Sequence, residues 1–244
     1  MISLLKIIVV FFALAFASYQ DLKTREIDDR VWYTTITVGA VLTALEILTT
    51  PSYPLLQLGL IMGITAVLAL VIYYIGLYGG ADAKALLTIA VIMPLPPFTL
   101  AATLLPFPLI IFGNALILTL LLIPACATWN LVWWMKNKAP FKDIRATNIQ
   151  KVATFFLGVK VKPETAKLVH FNLMEKISDD GSHYIKLFSR LTDEEPKVID
   201  SNSKHIWATP ALPLIVFFLF GFLFYFVAGD VIFRIVLFFM SAIA

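Results

Sequence analysis

Long runs of apolar residues restrict the fold of this 244-residue chain more than any other feature of its sequence. The runs are apolar on all sides rather than along one helical face, which is the pattern that surrounding lipid requires. Hydrophobic residues make up 60% of the chain and charged residues only 14%, whereas soluble proteins carry about 25% charged residues. The sequence therefore predicts a polytopic α-helical membrane protein.

Six transmembrane spans fit the runs. The first five lie at about residues 2–20, 31–49, 55–77, 82–104 and 109–134, and the sixth lies at 210–227. Three prolines, Pro94, Pro96 and Pro97, make the far end of the fourth span irregular. The tail at 230–244 is too short to cross again, so it either extends the sixth helix or lies in the membrane interface.

Residues 136–206 are charged and contain little that can span a membrane. Alternating residues on either side of Asp179-Asp180-Gly181 predict a β-hairpin with strands at 170–177 and 183–188. We therefore predict an all-α polytopic membrane protein with a small α+β soluble domain at 136–206, between the fifth and sixth helices. Residues 1–135 form the membrane domain, and residues 207–244 hold the sixth span and the C-terminal tail.

The lysines and arginines assign a side of the membrane to each connection. Stretches 21–30, 78–84 and 136–206 carry 17 of the 19 basic residues, whereas the alternating stretches 50–54 and 94–108 carry none. Because basic connections stay in the cytoplasm, the charged stretches and the soluble domain are predicted to be cytoplasmic, with both termini outside. The distribution of the charges along the chain, rather than the net charge of +3, indicates this topology. The lipid bilayer is thus a predicted partner, and nucleic acid is not.

Metal and disulfide chemistry have little support in the sequence. Cys126 is the only cysteine, and the three histidines show no HExxH spacing. We predict no metal site and no cofactor, with Cys126 as a small core residue. His183, near Asp179 and Asp180, is the one weak alternative as a metal ligand.

Two carboxylates attract attention because charge near hydrocarbon is costly. The acidic residues before residue 136 are Asp21, Glu26, Asp28, Asp29, Glu46 and Asp82. Water can reach Glu46 at the outer end of the second span, and the 26–29 group lies in a cytoplasmic loop. Asp21 and Asp82 each lie where a helix meets the cytoplasmic interface. Simpler interpretations are a solvated helix-end charge for Asp21 and a tight turn at Gly79-Gly80 before Asp82.

Two carboxylates at one depth can share a proton, with one acting as base on a water molecule and the other as acid. Gly79 and Gly80 carry no side chains, so we expect neighbouring backbone to approach Asp82 closely. Amides at a helix N-terminus favour negative charge and carbonyls at a C-terminus disfavour it. We therefore expect Asp82 to hold the charge and Asp21 to hold the shared proton. Lys84 cannot share the helical face of Asp82, and we expect it to reach toward lipid headgroups.

Two motifs resemble those of a known enzyme family. The segment Gly79-Gly80-Ala81-Asp82-Ala83-Lys84 resembles the GxGD-x-K signature of the type IV prepilin peptidases and the archaeal preflagellin (archaellin) peptidases, with Ala81 replacing the final glycine. The segment Asp21-x-x-x-Arg25-Glu26-Ile27 is similar to their first-aspartate motif. Asp28-Asp29, and Trp207 to Pro213 opening the last span, resemble the archaeal members. The resemblance covers the membrane part but not residues 136–206.

The resemblance implies a membrane aspartyl endopeptidase with Asp21 and Asp82 as its catalytic pair. Its substrates are expected to be archaellin-like or pilin-like precursors with a short basic leader, cut near the cytoplasmic face. Glu26, Asp28 and Asp29 are candidates for binding that leader, and a merely solvated loop is the alternative. Bacterial relatives carry a cysteine-rich zinc-binding region and methylate the new N-terminus. With a single cysteine, this chain is predicted to cleave without methylating.

Other functions use the same features. A proton-coupled transporter relays protons through membrane carboxylates, although transporters usually show internal repeats and acidic residues near the midplane. A structural membrane subunit with a cytoplasmic docking domain and a presenilin-like protease are further alternatives. The distance between Asp21 and Asp82 discriminates between these functions, because a protease needs both carboxylates near one water molecule.

Overall fold

The computed structural model of the chain describes residues 1–50, 54–75, 79–97, 105–137, 140–141, 144–166, 171–178, 181–187 and 205–243. The chain divides into two compact units. Unit 1 contains Met1–Leu118 and Pro213–Ala244, and unit 2 contains Thr119–Leu212. Unit 2 is therefore an insertion in the sequence of unit 1, and the predicted soluble domain at 136–206 falls within it.

Helices account for most of the described residues. They are α1 (Ile2–Thr24), α2 (Asp29–Thr49), α3 (Leu55–Tyr74), α4 (Gly80–Ile92), α5 (Phe107–Thr119), α6 (Leu122–Asn137), α7 (Asn148–Leu157), α8 (Pro163–Ala166), α9 (Leu214–Ala228) and α10 (Val231–Ile243). The strands are β1 (Ile144–Arg145), β2 (Val159–Val161), β3 (Phe171–Leu173), β4 (Glu175–Ile177), β5 (His183–Ile185) and β6 (Ile206–Pro210).

Among the described residues, four helical stretches are long and apolar enough to cross a membrane: α1, α2, α3 and the stretch Phe107–Lys136. Helices α9 and α10 add a fifth candidate if this bent pair is one span. The chain is thus a mostly helical, multi-pass membrane protein with a few short strands, as the apolar runs predicted. Helix α1 extends past its predicted end at residue 20 to Thr24, which places Asp21 inside its last turn.

The fourth predicted span, 82–104, is wrong at its far end. Helix α4 has 13 residues and ends at Ile92, with Met93 as its C-cap. Pro94 explains the early end, because a proline disfavours helical conformation at the residue before it and has no N–H to donate. Residues 98–104 lie outside the described residues.

Helix α4 is enclosed on most of its sides. It contacts α1, α2, α3 and α9. Its buried residues are Ala85, Leu86, Thr88, Ile89, Ala90 and Ile92. Helix α2 approaches especially closely, since a Cβ atom added to Gly39 would lie 2.0 Å from Cγ1 of Ile92. Residues near the start of α4 are therefore held by packing along the rest of the helix.

Helix α9 packs against α5 at a glycine. A Cβ atom added to Gly221 would lie 2.8 Å from both the Ala115 nitrogen and the Ile111 carbonyl oxygen. These are backbone atoms, so neither can rotate away. Phe107 and Tyr225 pack edge to face across the same helices, with ring centroids 4.9 Å apart.

Gly221→Ala is therefore expected to destabilise unit 1 by about 1–3 kcal/mol, the usual cost of overpacking. Thermal unfolding in detergent measures this loss as a lower Tm. Gly63→Ala on α3 is the matched control, because a Cβ atom there meets nothing within 4 Å. Equal Tm values for the two variants would contradict the close crossing of α5 and α9.

The C-terminal tail forms its own helix, α10, which is bent by 52° from α9. The buried Asn114 supplies hydrogen-bond partners to the backbone groups at the break between them. Its Nδ2 donates to the Gly229 carbonyl at 3.0 Å, and its Oδ1 accepts from the Val231 N–H at 3.3 Å. Asp230 caps the new helix by accepting from the Phe233 N–H at 3.0 Å. The tail therefore does not continue the sixth helix as one straight helix, and its alternative position in the membrane interface stays a prediction.

Unit 2 contains two small sheets, with strand orders β1-β5-β4 and β2-β6-β3. Strands β4 and β5 pair antiparallel, which confirms the predicted hairpin, although Asp179 and Asp180 lie outside the described residues. Strand β6 corrects the prediction that Trp207 to Pro213 opens the sixth span. Residues Ile206–Pro210 instead form the central strand of the second sheet, because their backbone pairs with both β2 and β3.

A buried charged group lies inside unit 2. Glu175 accepts from the Trp207 N–H at 2.9 Å, and its other oxygen lies 2.8 Å from Nδ1 of His183. Lys160 Nζ lies 3.9 Å from Glu175, 3.1 Å from the Pro140 carbonyl and 5.3 Å from the centre of the Trp207 ring. Burial lowers the pKa of Lys160, and the charge of Glu175 partly opposes that shift. Cys126 is buried in a separate apolar cluster of this unit, as predicted.

Candidate active site

Asp21 lies on the buried face of α1. The buried residues of this helix recur at helical spacing: Lys6, Val10, Leu14, Ala17, Ser18 and Asp21. Asp21 is only 8% exposed, although it lies in the last turn. The carboxylate therefore faces the helix bundle, which a solvated helix-end charge would not do.

Arg25 folds back onto Asp21 just after α1 ends. Its backbone has a φ of 60°, the left-handed conformation typical of a helix C-cap, and its N–H donates to the Asp21 carbonyl at 3.1 Å. Its guanidinium Nη1 lies 3.5 Å from Oδ1 of Asp21. The cation beside the buried Asp21 carboxylate is therefore supplied by Arg25, the residue that ends the same helix.

Asp82 lies in the first turn of α4. Its Oδ2 accepts a hydrogen bond from the Gly79 N–H at 3.0 Å, so the side chain caps its own helix. Added Cβ atoms would lie 3.6 Å from this oxygen at Gly79 and 3.5 Å from Cε2 of Tyr73 at Gly80, which are ordinary contacts. The expected close approach of backbone to the two glycines is therefore wrong among the described residues. Ala81 is half-buried in the same turn.

The structure brings these two turns together. Helix α1 contacts α4 directly, and Asp82 interacts electrostatically with both Asp21 and Arg25. Two carboxylates and one guanidinium at adjacent helix ends form a site with a net charge of about −1 when both aspartates are ionised. Such a pair can hold one shared proton, which suits it to acid–base chemistry on a water molecule.

The acidic residues of the α1–α2 connection have different environments. Asp28 caps α2 by accepting from the Arg30 N–H at 2.9 Å, and its own N–H donates to Oε1 of Gln20 at 3.2 Å. Asp29 forms an ion pair with Lys84 of α4, and both side chains are half-exposed. The prediction that Lys84 reaches toward lipid headgroups is therefore wrong. Glu26 is exposed.

The sequence did not predict three contacts of the helices that carry the candidate site: the pairing of Arg25 with Asp21, the pairing of Lys84 with Asp29, and the contact of Thr43 with the end of α4. The first has a sequence signal, because side chains four residues apart are neighbours on a helix. The other two join residues 55 and 48 or more positions apart, and spacing along the chain carries no trace of them.

Metal ligands are not clustered in the described part of the chain, where groups of three or more histidine, cysteine, aspartate or glutamate side chains are absent. His183 faces Glu175 in unit 2. Asp179 and Asp180, its suggested neighbours, lie outside the described residues.

Comparisons with known proteins relate the sequence of this chain to a family. The model of the Type IV leader peptidase family matches residues 8–127, and that of the Archaeal Peptidase A24 C-terminus Type II matches residues 150–231. Proteins named preflagellin peptidase are similar. The one from Methanococcus voltae is 25% identical over 215 residues, which cover 83% of this chain and 86% of that protein. The one from Methanocaldococcus jannaschii is 25% identical over 251 residues, which cover 96% and 98%.

The two family models together match most of the chain, and the range of the Type IV leader peptidase model includes both Asp21 and Asp82. The chain belongs to the type IV leader peptidase family, Peptidase A24.

Proposed function

We propose that this protein is an aspartyl endopeptidase that removes the leader from preflagellin-like precursors. Family membership supports a membrane protease, and the names of the relatives support preflagellin as the class of substrate. The single observation that carries the aspartyl mechanism is the electrostatic interaction between Asp21 and Asp82, whose helices are in direct contact. Pairing two costly carboxylates in one membrane unit suits proton transfer better than structural support.

The contacts of each aspartate suggest its role. Arg25 lies on Asp21 and favours the charged carboxylate, whereas Asp82 receives one backbone N–H. An opposite charge within about 4–6 Å favours the ionised form of a carboxyl group, and Asp21 has the Arg25 guanidinium at 3.5 Å. Our proposal therefore reverses the expectation from helix dipoles: Asp21 holds the charge, and Asp82 holds the shared proton.

Peptide hydrolysis then follows from these roles. Asp21 removes a proton from water as the water oxygen attacks the carbonyl carbon of the scissile bond, and Asp82 gives its proton to the carbonyl oxygen. Collapse of the tetrahedral intermediate breaks the C–N bond. The proton taken by Asp21 passes to the leaving nitrogen, and the hydroxyl proton of the intermediate returns to Asp82. The pair ends in its starting state, and no metal takes part.

The proposed topology puts this chemistry at the cytoplasmic face. The distribution of lysine and arginine supports six spans with both termini outside and residues 136–206 in the cytoplasm. A leader held at that face is still joined to the apolar helix that remains on the product. The cut thus falls at the boundary between water and lipid.

Incubating the purified protein with a preflagellin-type precursor tests the function directly. We expect one cut that releases the leader, an undiminished rate in EDTA, and a mature N-terminus with the mass of an unmethylated peptide. Mass spectrometry measures both products. Loss of the rate in EDTA with recovery in zinc, or no release of the leader by protein that is folded and reconstituted in lipid, would overturn the proposal.

Leader recognition is proposed to involve the acidic connection, chiefly Asp29. Asp28 is occupied as the cap of α2, whereas Asp29 holds the ammonium of Lys84 at a half-exposed position. Exposed ion pairs contribute only about 0–1 kcal/mol, so a basic leader residue can replace Lys84. Glu26 adds negative charge to the same exposed connection.

Asp29→Asn is expected to raise KM about threefold to tenfold for a leader with lysine or arginine, and to change KM much less for a leader in which those residues are glutamine. The reason is that only the charged leader loses an ionic partner. Steady-state cleavage of the two precursors measures the ratio. Equal changes for both leaders would favour the alternative of a merely solvated loop.

A further inference from the structure

Helix α1, which carries Asp21, is joined to α2 at the end of unit 1 away from the aspartates. Lys6 of α1 is 3% exposed and forms an ion pair with Glu46 of α2. A buried ion that loses its partner costs several kcal/mol, so this pair holds α1 to α2 at a fixed position. Lys6 lies on the same face of α1 as Asp21.

Helix α2 also holds the end of α4. The Thr43 hydroxyl Oγ1 lies 3.0 Å from the Val91 carbonyl oxygen and 3.2 Å from the Ile92 carbonyl oxygen. The last carbonyls of a helix have no partner within it, and Thr43 supplies a donor at this point. One turn earlier, Gly39 allows α2 and α4 to touch.

The rise per residue of a helix gives the distance along each helix between these contacts and the aspartates. At 1.5 Å per residue, Asp21 lies about 22 Å along α1 from the Lys6–Glu46 pair. Thr43 lies about 4.5 Å from Glu46 along α2, and Asp82 lies about 14–15 Å from the last turn of α4. One path from Glu46 follows α1 to Asp21, and the other follows α2 to Thr43 and then α4 to Asp82. The two paths end at depths that differ by about 4 Å, a gap that two aspartate side chains can bridge.

We propose that α2 is a strut that sets the relative depth of Asp21 and Asp82, with Lys6, Glu46 and Thr43 as positioning residues. The inference rests on the proposed function for its catalytic consequence. An axial shift of α4 against α1 moves the acid away from the base, and a misplacement of about 1 Å costs up to about 100-fold in rate. In the proposed topology the leader binds at the opposite end of the bundle, so we expect the loss to fall on kcat rather than on KM.

A pair of substitutions at Thr43 separates positioning from packing. Thr43→Val keeps the shape of the side chain and removes the hydroxyl, whereas Thr43→Ser keeps the hydroxyl and removes a methyl group. We expect Thr43→Val to lower kcat at least tenfold with KM within about twofold, and Thr43→Ser to keep kcat within about threefold. The exchanged pair Lys6→Glu with Glu46→Lys is expected to recover most of the rate that Lys6→Met alone loses.

A distance measurement tests the strut without cleavage. Nitroxide labels at Leu22→Cys and Gly79→Cys, in a Cys126→Ser background, report the separation of the two helix ends by electron paramagnetic resonance. Thr43→Val is expected to shift or broaden this distance, and Thr43→Ser to leave it near that of the parent chain. An unchanged distance, or equal loss of kcat in both variants, overturns the strut. Absence of cleavage by the parent chain with a distance that still responds to Thr43→Val refutes the proposed function alone.

Discussion

Changing either aspartate to asparagine is expected to lower leader cleavage by about 100-fold to 10,000-fold, the usual contribution of a positioned acid or base. An amide can neither take the proton of water at Asp21 nor give a proton at Asp82. The initial rate of leader release measures the loss, and the Tm in detergent checks that each variant folds. We expect the double variant to be no slower than the slower single variant, because the pair acts as a unit.

Glu164→Gln is the matched control for this prediction. It makes the same change of carboxylate to amide in α8 of unit 2, and its rate is expected to stay within about twofold of the parent. If Asp21→Asn or Asp82→Asn retains near-normal turnover while the control behaves as expected, the pair does not perform the chemistry. The family assignment would then stand without the aspartyl mechanism.

Removing the carboxylate of Glu175 is expected to cost unit 2 about 3–5 kcal/mol, which is the usual penalty for leaving a buried charge without its partner. Glu175→Ala takes away the acceptor of the Trp207 N–H and the neighbour of His183 and Lys160. Thermal unfolding followed by tryptophan fluorescence measures the loss. Glu175→Gln with Lys160→Met is the matched variant, since it removes both charges and keeps an acceptor for Trp207. A small change of Tm in Glu175→Ala alone would show that the charges are not buried.

The pH dependence of unit 2 has a defined sign for Lys160. Its pKa is lowered in the folded state from 10.5, so between the two values the unfolded chain binds more protons. Stability from this group therefore rises with pH up to about 10.5 and is lowest where the lysine is charged in both states. Lys160→Met is expected to remove that rise, which unfolding at several alkaline pH values can measure. A rise that persists in Lys160→Met must come from another group.

Apolar patterning predicted the membrane helices well, because lipid demands a continuous run that is visible in one dimension. The course of α1, α2 and α3 follows directly from such runs, with end points displaced by a few residues. Helix α4 was less predictable, since its length depends on where Pro94 ends it. Strand β6 was missed because Ile206–Pro210 gains its conformation from β2 and β3, which are distant in sequence.

In the candidate site, too, the sequence indicates individual residues but not the contacts between helices. Asp21 and Asp82 were identified as candidates from the sequence because carboxylates are rare in apolar sequence and each has a recognisable motif. The proposed roles are the reverse of those expected from the sequence, since the charge is now proposed for Asp21. The position of the Arg25 guanidinium depends on a left-handed backbone conformation that the sequence does not indicate. Lys84 was assigned to the headgroups because its partner, Asp29, is on another helix. Contacts between helices require the folded arrangement.

The contact between α1 and α9 orders events during synthesis. Ser18 of α1 donates to the Ile215 carbonyl of α9 at 3.3 Å. The first helix of the chain therefore gains this packing partner only when nearly the last helix has been made. At about 5–20 residues per second, the ribosome needs roughly 10–40 s to reach α9 after α1 has emerged. Lys6 can meet Glu46 within the first few seconds of that interval, whereas the face around Ser18 waits until the inserted unit 2 has been translated. Nascent chains are therefore exposed to quality control with the helix of Asp21 anchored at one end and uncovered at the other.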